Sequence, residues 1–296
     1  MRKTLVQTLC AAFCAILFAL SGMGGGSMSL IMRRNIMAAT GKVDYGGRTT
    51  IIVRVPDGGG EFGFGSVSAP AGTEIDWGDG TVTEKSNRSH VYSTGGDYIV
   101  SVGSEATYVK IYQGINPGYV TAAPNAIGWN ISNFSQAFRG CTNISSIGFD
   151  ARHDRIITSI NESFMSCGSL IELKVPDYLG TSQTDFYYMF AGCSNLKRLE
   201  LPSGFGAYAT RTSGCFGISR YYLSNLKEAI FRGDSNGFKI SIDGFSACDL
   251  EVSSIVSILT SLQVVSAETV NIGSSNKAKL TPEQIAIAES KGWTVV

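Results

Sequence analysis

Four residues set the terms for what this chain can fold into: Phe138-Arg139-Gly140-Cys141 returns as Phe164-Met165-Ser166-Cys167 and again as Phe190-Ala191-Gly192-Cys193, at a spacing of 26 residues both times. The flanks keep step. Phe134, Ile160 and Phe186 hold one register, and Ile144, Leu170 and Leu196 hold another. Three and five places after the latter come Ile147 and Phe149, Leu173 and Val175, Leu199 and Leu201. A unit of this length cannot bury its apolar face alone, so copies must stack, each adding a strand about 4.8 Å from the last. A fourth copy reads as stretched: Cys215 arrives early, and Leu226, Ala229 and Phe231 restore the strand after a gap of 30 residues. Phe245, Cys248 and Leu250 mark a fifth, degenerate copy.

Leu-x-x-Leu-x-Leu at this period lies in the leucine-rich-repeat range. With an aromatic-x-Gly-Cys element before Asn-Leu-x-x-Leu, the pattern resembles the BspA-type leucine-rich repeats of bacterial surface proteins and phage virion proteins. The resemblance spans about residues 127–296 and implies a solenoid. The chain then supplies a lid. Val252 to Leu262 carries apolar residues at helical spacing, Val270 and Ile272 suggest a strand, and Thr281-Pro282-Glu283-Gln284 is a capping box with Pro at the first helical position. This helix is expected to end near Lys291-Gly292, with Ile285, Ala286 and Ala288 facing inward and Trp293 and Val295 forming a last strand.

Upstream the period changes to two. Thr50 to Val55 alternates as a strand and stops at Pro56-Asp57-Gly58-Gly59-Gly60, and Thr73 to Val82 reads as a hairpin around Asp79-Gly80. Trp77-Gly78-Asp79-Gly80-Thr81, then His90-x-Tyr92, then Gly96-x-Tyr98-x-Val100-x-Val102 resembles the core signature of PKD-type Ig-like domains, extracellular β-sandwich modules. The match covers roughly residues 49–113 and is shorter than a full domain, which implies one or two missing edge strands. Trp77 is expected between sheets, with a Tyr hydroxyl bonded to backbone near a corner.

Ahead of this unit, Arg2 and Lys3 precede an apolar run from Leu9 to Leu20, and Ala19-Leu20-Ser21 offers a cleavage pattern before Gly22. Twelve helical residues span roughly 18 Å, short of a hydrocarbon core of roughly 30 Å. A cleaved signal peptide, an uncleaved membrane anchor, and a true start at Met28 are all compatible with these residues. The expected organisation is therefore residues 1–21 signal peptide or anchor, 22–47 linker, 48–113 PKD-like β-sandwich, and 114–296 leucine-rich-repeat solenoid with a cap. The fold class is α+β multidomain, a small Ig-like β-sandwich followed by the solenoid and its C-terminal helical cap.

Lys+Arg and Asp+Glu both total 24, which removes the basic excess that nucleic-acid binding requires. Cys141, Cys167 and Cys193 fall on the inward ladder and fit no zinc spacing, so buried free thiols are expected, as small hydrophobes. Asp76 and Asp79 could offer oxygens to calcium, but a structural Asx turn is the simpler reading of so tight a loop. Asp150, His153 and Asp154 form the best enzymatic constellation in the chain, and it lacks a positioned nucleophile. No cofactor is implied.

What remains for function is the exposed face of the strands: Ser146 and Gly148, Glu172 and Lys174, Arg198 and Glu200, Glu228 and Ile230. Glu172, Lys174, Arg198 and Glu200 are the candidate binding residues. Trp77, Asp79, His90, Tyr92, Tyr98, Phe138, Cys141, Phe164, Cys167, Phe190 and Cys193 are the structural ones. The expected protein is non-catalytic and secreted or on a cell surface, or else part of a phage virion, and it adheres to a protein or glycan ligand through its repeats. The alternative is a structural spacer or assembly module of a phage tail or cell envelope. No nucleic acid is expected as partner, and contact with a membrane only through an uncleaved amino-terminal segment.

Overall fold

The computed structural model describes residues 45–149, 153, 155–218, 221–233 and 236–296. The leader, most of the linker, Met28, Asp150 and Asp154 lie outside these. The described chain is mostly strand and turn with little helix.

The alternating segment forms β1 (Thr49–Val55), which buries Ile51, Val53 and Val55 and leaves Arg54 in solvent. It pairs antiparallel along its whole length with β7 (Gly96–Val102), from Thr49 opposite Val102 to Val55 opposite Gly96. Arg54 grips Asp97 across this pair with two bonds of 2.7 and 2.8 Å. Beyond β7 lie β4 (Glu74–Asp76) and β5 (Val82–Glu84), the expected hairpin. Two smaller pairs complete the unit, β2 (Gly60–Gly63) with β6 (Ser89–Tyr92) and β3 (Ser66–Ser68) with β8 (Tyr108–Lys110). Phe62, Phe64, Ile75, Trp77 and Tyr92 fill its interior.

The amino-terminal unit and the repeats share a core. Strand β9 (Val120–Asn125) pairs antiparallel with β1 on one side and parallel with β10 (Ser146–Ile147), the first repeat strand, on the other. On the opposite face Tyr108, at the start of β8, forms a parallel bridge to Asn133. Residues on both sides of position 113 therefore make a rung that belongs to the amino-terminal unit and to the stack together. One continuous cluster of buried side chains runs from Ile51 to Val295.

From this rung onward the chain climbs. The N–H groups of Phe134, Gln136, Phe138 and Gly140 donate to carbonyls 25 places on, at Ser159, Asn161, Ser163 and Met165. Glu162, Phe164 and Ser166 repeat the move to Tyr187, Met189 and Ala191, and Phe190 to Cys215. Phe216 thus keeps the aromatic register, and Cys215 sits in the place of Met189 and not on the cysteine ladder. The stretch in the fourth copy comes later. Gly192 bonds to Tyr221, 29 places on, so the offset grows by four after Cys215, and Leu223 takes the ladder position of Cys193. On the other face β11 (Glu172–Lys174), β12 (Arg198–Leu201) and β13 (Glu228–Phe231) form a parallel sheet. Among the described residues no ladder joins β10 to β11.

The stack ends on a helix. Where a fifth strand would lie, α1 (Val252–Ser261) packs on β13, and the hydroxyls of Ser254 and Ser257 accept from the N–H groups of Ala229 (3.1 Å) and Phe231 (2.9 Å). These are donors that another strand would have taken. Strand β14 (Glu268–Val270), the short helix α2 (Ser274–Lys277), helix α3 (Pro282–Glu289) and β15 (Trp293–Val295) complete the cap, with β14 and β15 parallel. Thr281 and Gln284 form the reciprocal capping box at the start of α3. Ile285, Ile287 and Ala288 turn toward the core, whereas Ala286, expected inside, is exposed. Helix α2 has no counterpart in the sequence reading. Its Asn276 is 1% exposed, donates to the carbonyls of Phe245 (3.3 Å), Cys248 (2.9 Å) and Ile272 (3.0 Å), and accepts from the N–H of Leu250 (3.1 Å).

Two outcomes follow from these joints. Asn276→Leu strands a buried N–H and several carbonyls, at about 1–3 kcal/mol for each group left unsatisfied, so the urea midpoint should fall with little change in slope. Trp77→Ala empties the interior of a unit that shares β9 with the stack. Limited proteolysis of that variant should therefore release no protected fragment beginning near residue 120, and a stable one would mean that β9 and the repeats stand without β1.

Candidate binding surface

The strand face presents the predicted strip. Parallel pairing sets Glu172, Arg198 and Glu228 in one row and Lys174, Glu200 and Ile230 in the next. Alternation turns these side chains outward while Leu173, Leu199 and Ala229 are buried. The strip is neutralised from within. Arg198 reaches Glu200 at 2.7 Å along its own strand and also bonds Glu228 on the next, while the Lys174 ammonium lies 3.7 Å from Glu200. The Arg198 hydrogen bond holds the Glu200 carboxyl below its ordinary value against the opposing effect of burial, with Lys174 and Arg232 adding to it. The structure thus brings the four candidate binding residues together, with Lys174, Arg198 and Glu200 engaged with one another and Glu172 beside Arg198 in its row.

Inside the stack, Phe138, Phe164, Phe190 and Phe216 lie one above the next, at centroid separations of 6.4, 5.8 and 6.0 Å with near-parallel planes. The thiols beside them have work within the fold. Cys167 donates to the carbonyl of Phe138 at 3.2 Å and Cys193 to that of Phe164 at 3.1 Å. Cys141, Cys167, Cys193, Cys215 and Cys248 are all buried and free. Burial pushes the thiols of Cys141, Cys167, Cys215 and Cys248 up, away from the reactive thiolate. Among the described residues no group of three or more His, Cys, Asp or Glu could hold a metal.

In the amino-terminal unit the signature residues bond to each other. Asp76 accepts from the N–H of Gly78 and Asp79 from that of Thr81, both at 2.9 Å, which makes the turn an Asx pair. The second Asp79 oxygen meets His90 Nε2 at 2.7 Å. The Tyr92 hydroxyl donates to the Trp77 carbonyl at 3.0 Å, the Trp77 indole to Thr83 at 2.9 Å, and the Tyr98 hydroxyl to the Thr94 carbonyl at 2.8 Å. His90 stacks on Trp77 with its plane tilted 22°, edge-on to Tyr92. These carboxylates are engaged in the turn. An open hollow of about 300 Å³ near Arg48, Glu74 and Glu105 has neither His nor Cys in its walls. His153 stacks on Tyr178 with centroids 4.8 Å apart.

The third surface escaped the sequence reading. On the turns that carry the aromatic-x-Gly-Cys element, Gln136, Glu162 and Tyr188 adopt left-handed φ of 55°, 55° and 51°, with Gly214 at 66° in the same register of the fourth rung. Arg139 lies 4.1 Å from the Tyr112 ring centre and bonds Glu162, which Gln136 also meets at 2.8 Å. One rung up the character changes: Tyr187 and Tyr188 stand edge to face, Arg211 covers the Tyr187 ring at 3.6 Å, and Tyr221 lies across the next turn. The clue was the Tyr-Tyr pair at positions that are Ser-Gln and Asn-Glu in the earlier copies.

One pH effect follows from the Asp79 turn. Burial raises this carboxyl, but the Thr81 N–H and the His90 imidazole outweigh it and leave it below its ordinary value. A depressed carboxyl adds stability above its unfolded value of about 3.9 and loses it as pH falls through the lower folded value. Asp79→Asn should therefore melt below the wild type at neutral pH, and the gap should close on acidification from about pH 4 in a calorimetric series.

No curated protein and no solved structure gives a match to this chain. Residues 130–249 match the BspA type leucine rich repeat region in six copies, so the stacked rungs described above are leucine-rich repeats like those of the BspA type.

Proposed function

We propose that this chain is a non-catalytic binding protein of an extracellular or surface setting, engaging a protein or glycan ligand through the outside of its repeats. The observation that carries this reading is the repeat match over residues 130–249, since repeats of this type are generally surface protein-interaction modules without catalysis. The geometry is consistent with it. The inner ladder is filled with Phe and Cys side chains, whereas the two long outer faces vary in chemistry from rung to rung. On the same reading the rungs form a short solenoid, and the amino-terminal unit is a PKD-like sandwich whose Trp77, Asp79, His90 and Tyr92 hold one turn in place. Among the described residues no helix is long and apolar enough to cross a membrane.

A second reading, a spacer or assembly module of a cell envelope or phage tail, has one observation in its favour. The charges of Glu200, Arg198 and Glu228 are already paired, which leaves the strand face little to offer a charged ligand. The two readings part on a direct measurement. The purified chain, fluorescently labelled, should bind bacterial or host cells saturably, and competition with unlabelled protein should remove the signal. Absence of saturable binding to any cell type, together with recovery of the chain in particle or envelope fractions, would favour the spacer.

A further inference from the structure

One end of the large amino-terminal sheet carries charges that the fold leaves unmatched. In β1, β7 and β4, Thr49 and Ile75 stand on either side of Val102, and all three are buried. One residue on, side chains turn to the other face. The row becomes Arg48, Gly103 and Glu74, with the Gly103 N–H donating to the Glu74 carbonyl at 2.9 Å. Arg48 and Glu74 therefore flank a residue without a side chain, two strand spacings or about 10 Å apart. Arg54, Arg139, Arg198, Arg211 and Arg232 each hold a carboxylate. Among the described residues Arg48 holds none, and its side chain makes no hydrogen bond.

The open hollow of about 300 Å³ lies over this glycine, lined by Arg48, Glu74, Gly103 and Glu105. Glu105 closes one side. A Cβ on Gly103 would come 2.8 Å from Glu105 Oε2 and 2.9 Å from Thr73 Cγ2, so glycine is what lets the carboxylate fold back over the sheet. The other oxygen of Glu105 receives only a long bond of 3.3 Å from the Ser104 hydroxyl. Arg48 is fixed at its root: its N–H donates to the Tyr45 carbonyl at 3.1 Å and its carbonyl accepts from the Asn125 amide at 2.8 Å. Its Nε is shut off from solvent, which leaves the outer guanidinium nitrogens as the groups that a ligand in the hollow meets.

We propose that this hollow binds a free dibasic amino acid of the lysine type, with its α-carboxylate on the Arg48 guanidinium and its two ammonium groups at Glu74 and Glu105. The walls carry one positive and two negative charges, and such a ligand carries the complement. A guanidinium takes a carboxylate through two parallel hydrogen bonds, which fixes the orientation of the ligand. The volume stands at the lower limit of small-molecule sites, about 300–1,000 Å³, and suits one amino acid better than a chain of several. The site belongs to the amino-terminal unit, so it goes beyond the binding proposed for the repeats and stands or falls apart from it.

The test titrates the full chain in a calorimeter with L-lysine, Nα-acetyl-lysine, cadaverine and L-glutamate. Lysine should bind. Nα-Acetyl-lysine, which lacks the α-ammonium, and cadaverine, which lacks the carboxylate, should each bind about tenfold more weakly, and glutamate should give no heat of binding. Arg48→Gln should bring lysine down to the level of cadaverine and leave cadaverine unchanged, whereas Glu74→Gln and Glu105→Gln should weaken both. A change that merely loosened the fold would not separate the two ligands. If Arg48→Gln lowers the melting temperature, the exposed Glu74→Gln decides in its place. No lysine bound by the wild type, equal binding of Nα-acetyl-lysine or glutamate, or lysine binding unchanged in Glu74→Gln would each overturn the proposal.

Discussion

Each rung of this protein obtains its main-chain hydrogen bonds from the rungs on either side, and everything else in the structure answers the question of where that dependence stops. At one end it stops in the amino-terminal unit. Strand β9 faces β1 in one direction and β10 in the other, so the first repeat has a partner before the stack begins. At the other end it stops on hydroxyls and one amide. Ser254 and Ser257 take the N–H groups of the last strand, and Asn276 takes the turn carbonyls of Phe245 and Cys248. Open sheet edges recruit further strands, and these two closures keep a stack of a few rungs finite.

The same logic explains the inward residues. A turn carbonyl buried one rung down needs a donor from the rung above, and the donor must be small enough for the Phe rings to remain stacked. Cysteine meets both conditions, and Cys167 and Cys193 bond the carbonyls of Phe138 and Phe164. Serine does the equivalent at the neighbouring position, where Ser163 donates to Phe134 at 2.9 Å. In the last rung no cysteine follows, and the Asn276 amide from the cap provides the bond to Phe245. The weak thiol donors of Cys167 and Cys193 thus give way to a stronger amide donor at the end.

Much of this was legible because periodicity survives in the residues that face inward. Phe138, Phe164 and Phe190 fixed the rung, and the capping box at Thr281 fixed the last helix. What escaped had physical reasons. Cys215 drew the eye as a ladder residue, yet Phe216 beside it holds the register, because the insertion comes after the aromatic and not before it. The resemblance ended near 113, but strand pairing between β1 and β9 depends on partners that no local pattern declares. Asn276 gave no signal at all, since a polar residue on a short helix reads as solvent-facing until its five side-chain bonds are seen.

The outward residues obey a different constraint, and the two faces of the stack show it. On the strand face, side chains from adjacent rungs stand opposite one another, so opposite charges find each other, as Arg198 finds Glu200 and Glu228. Such a face tends to satisfy itself. On the turn face one side chain of each rung leaves a left-handed corner, and where a rung carries glycine the neighbouring ring leans over it, as Tyr188 does over Gly214. Gln136, Glu162, Tyr188 and Gly214 hold that corner in successive rungs, so an amide, a carboxylate, a phenol and a glycine share one backbone conformation. Variation among repeats is therefore absorbed on the strand face and exposed on the turn face, which makes the turns the place where one rung can differ chemically from the next without disturbing the ladder beneath.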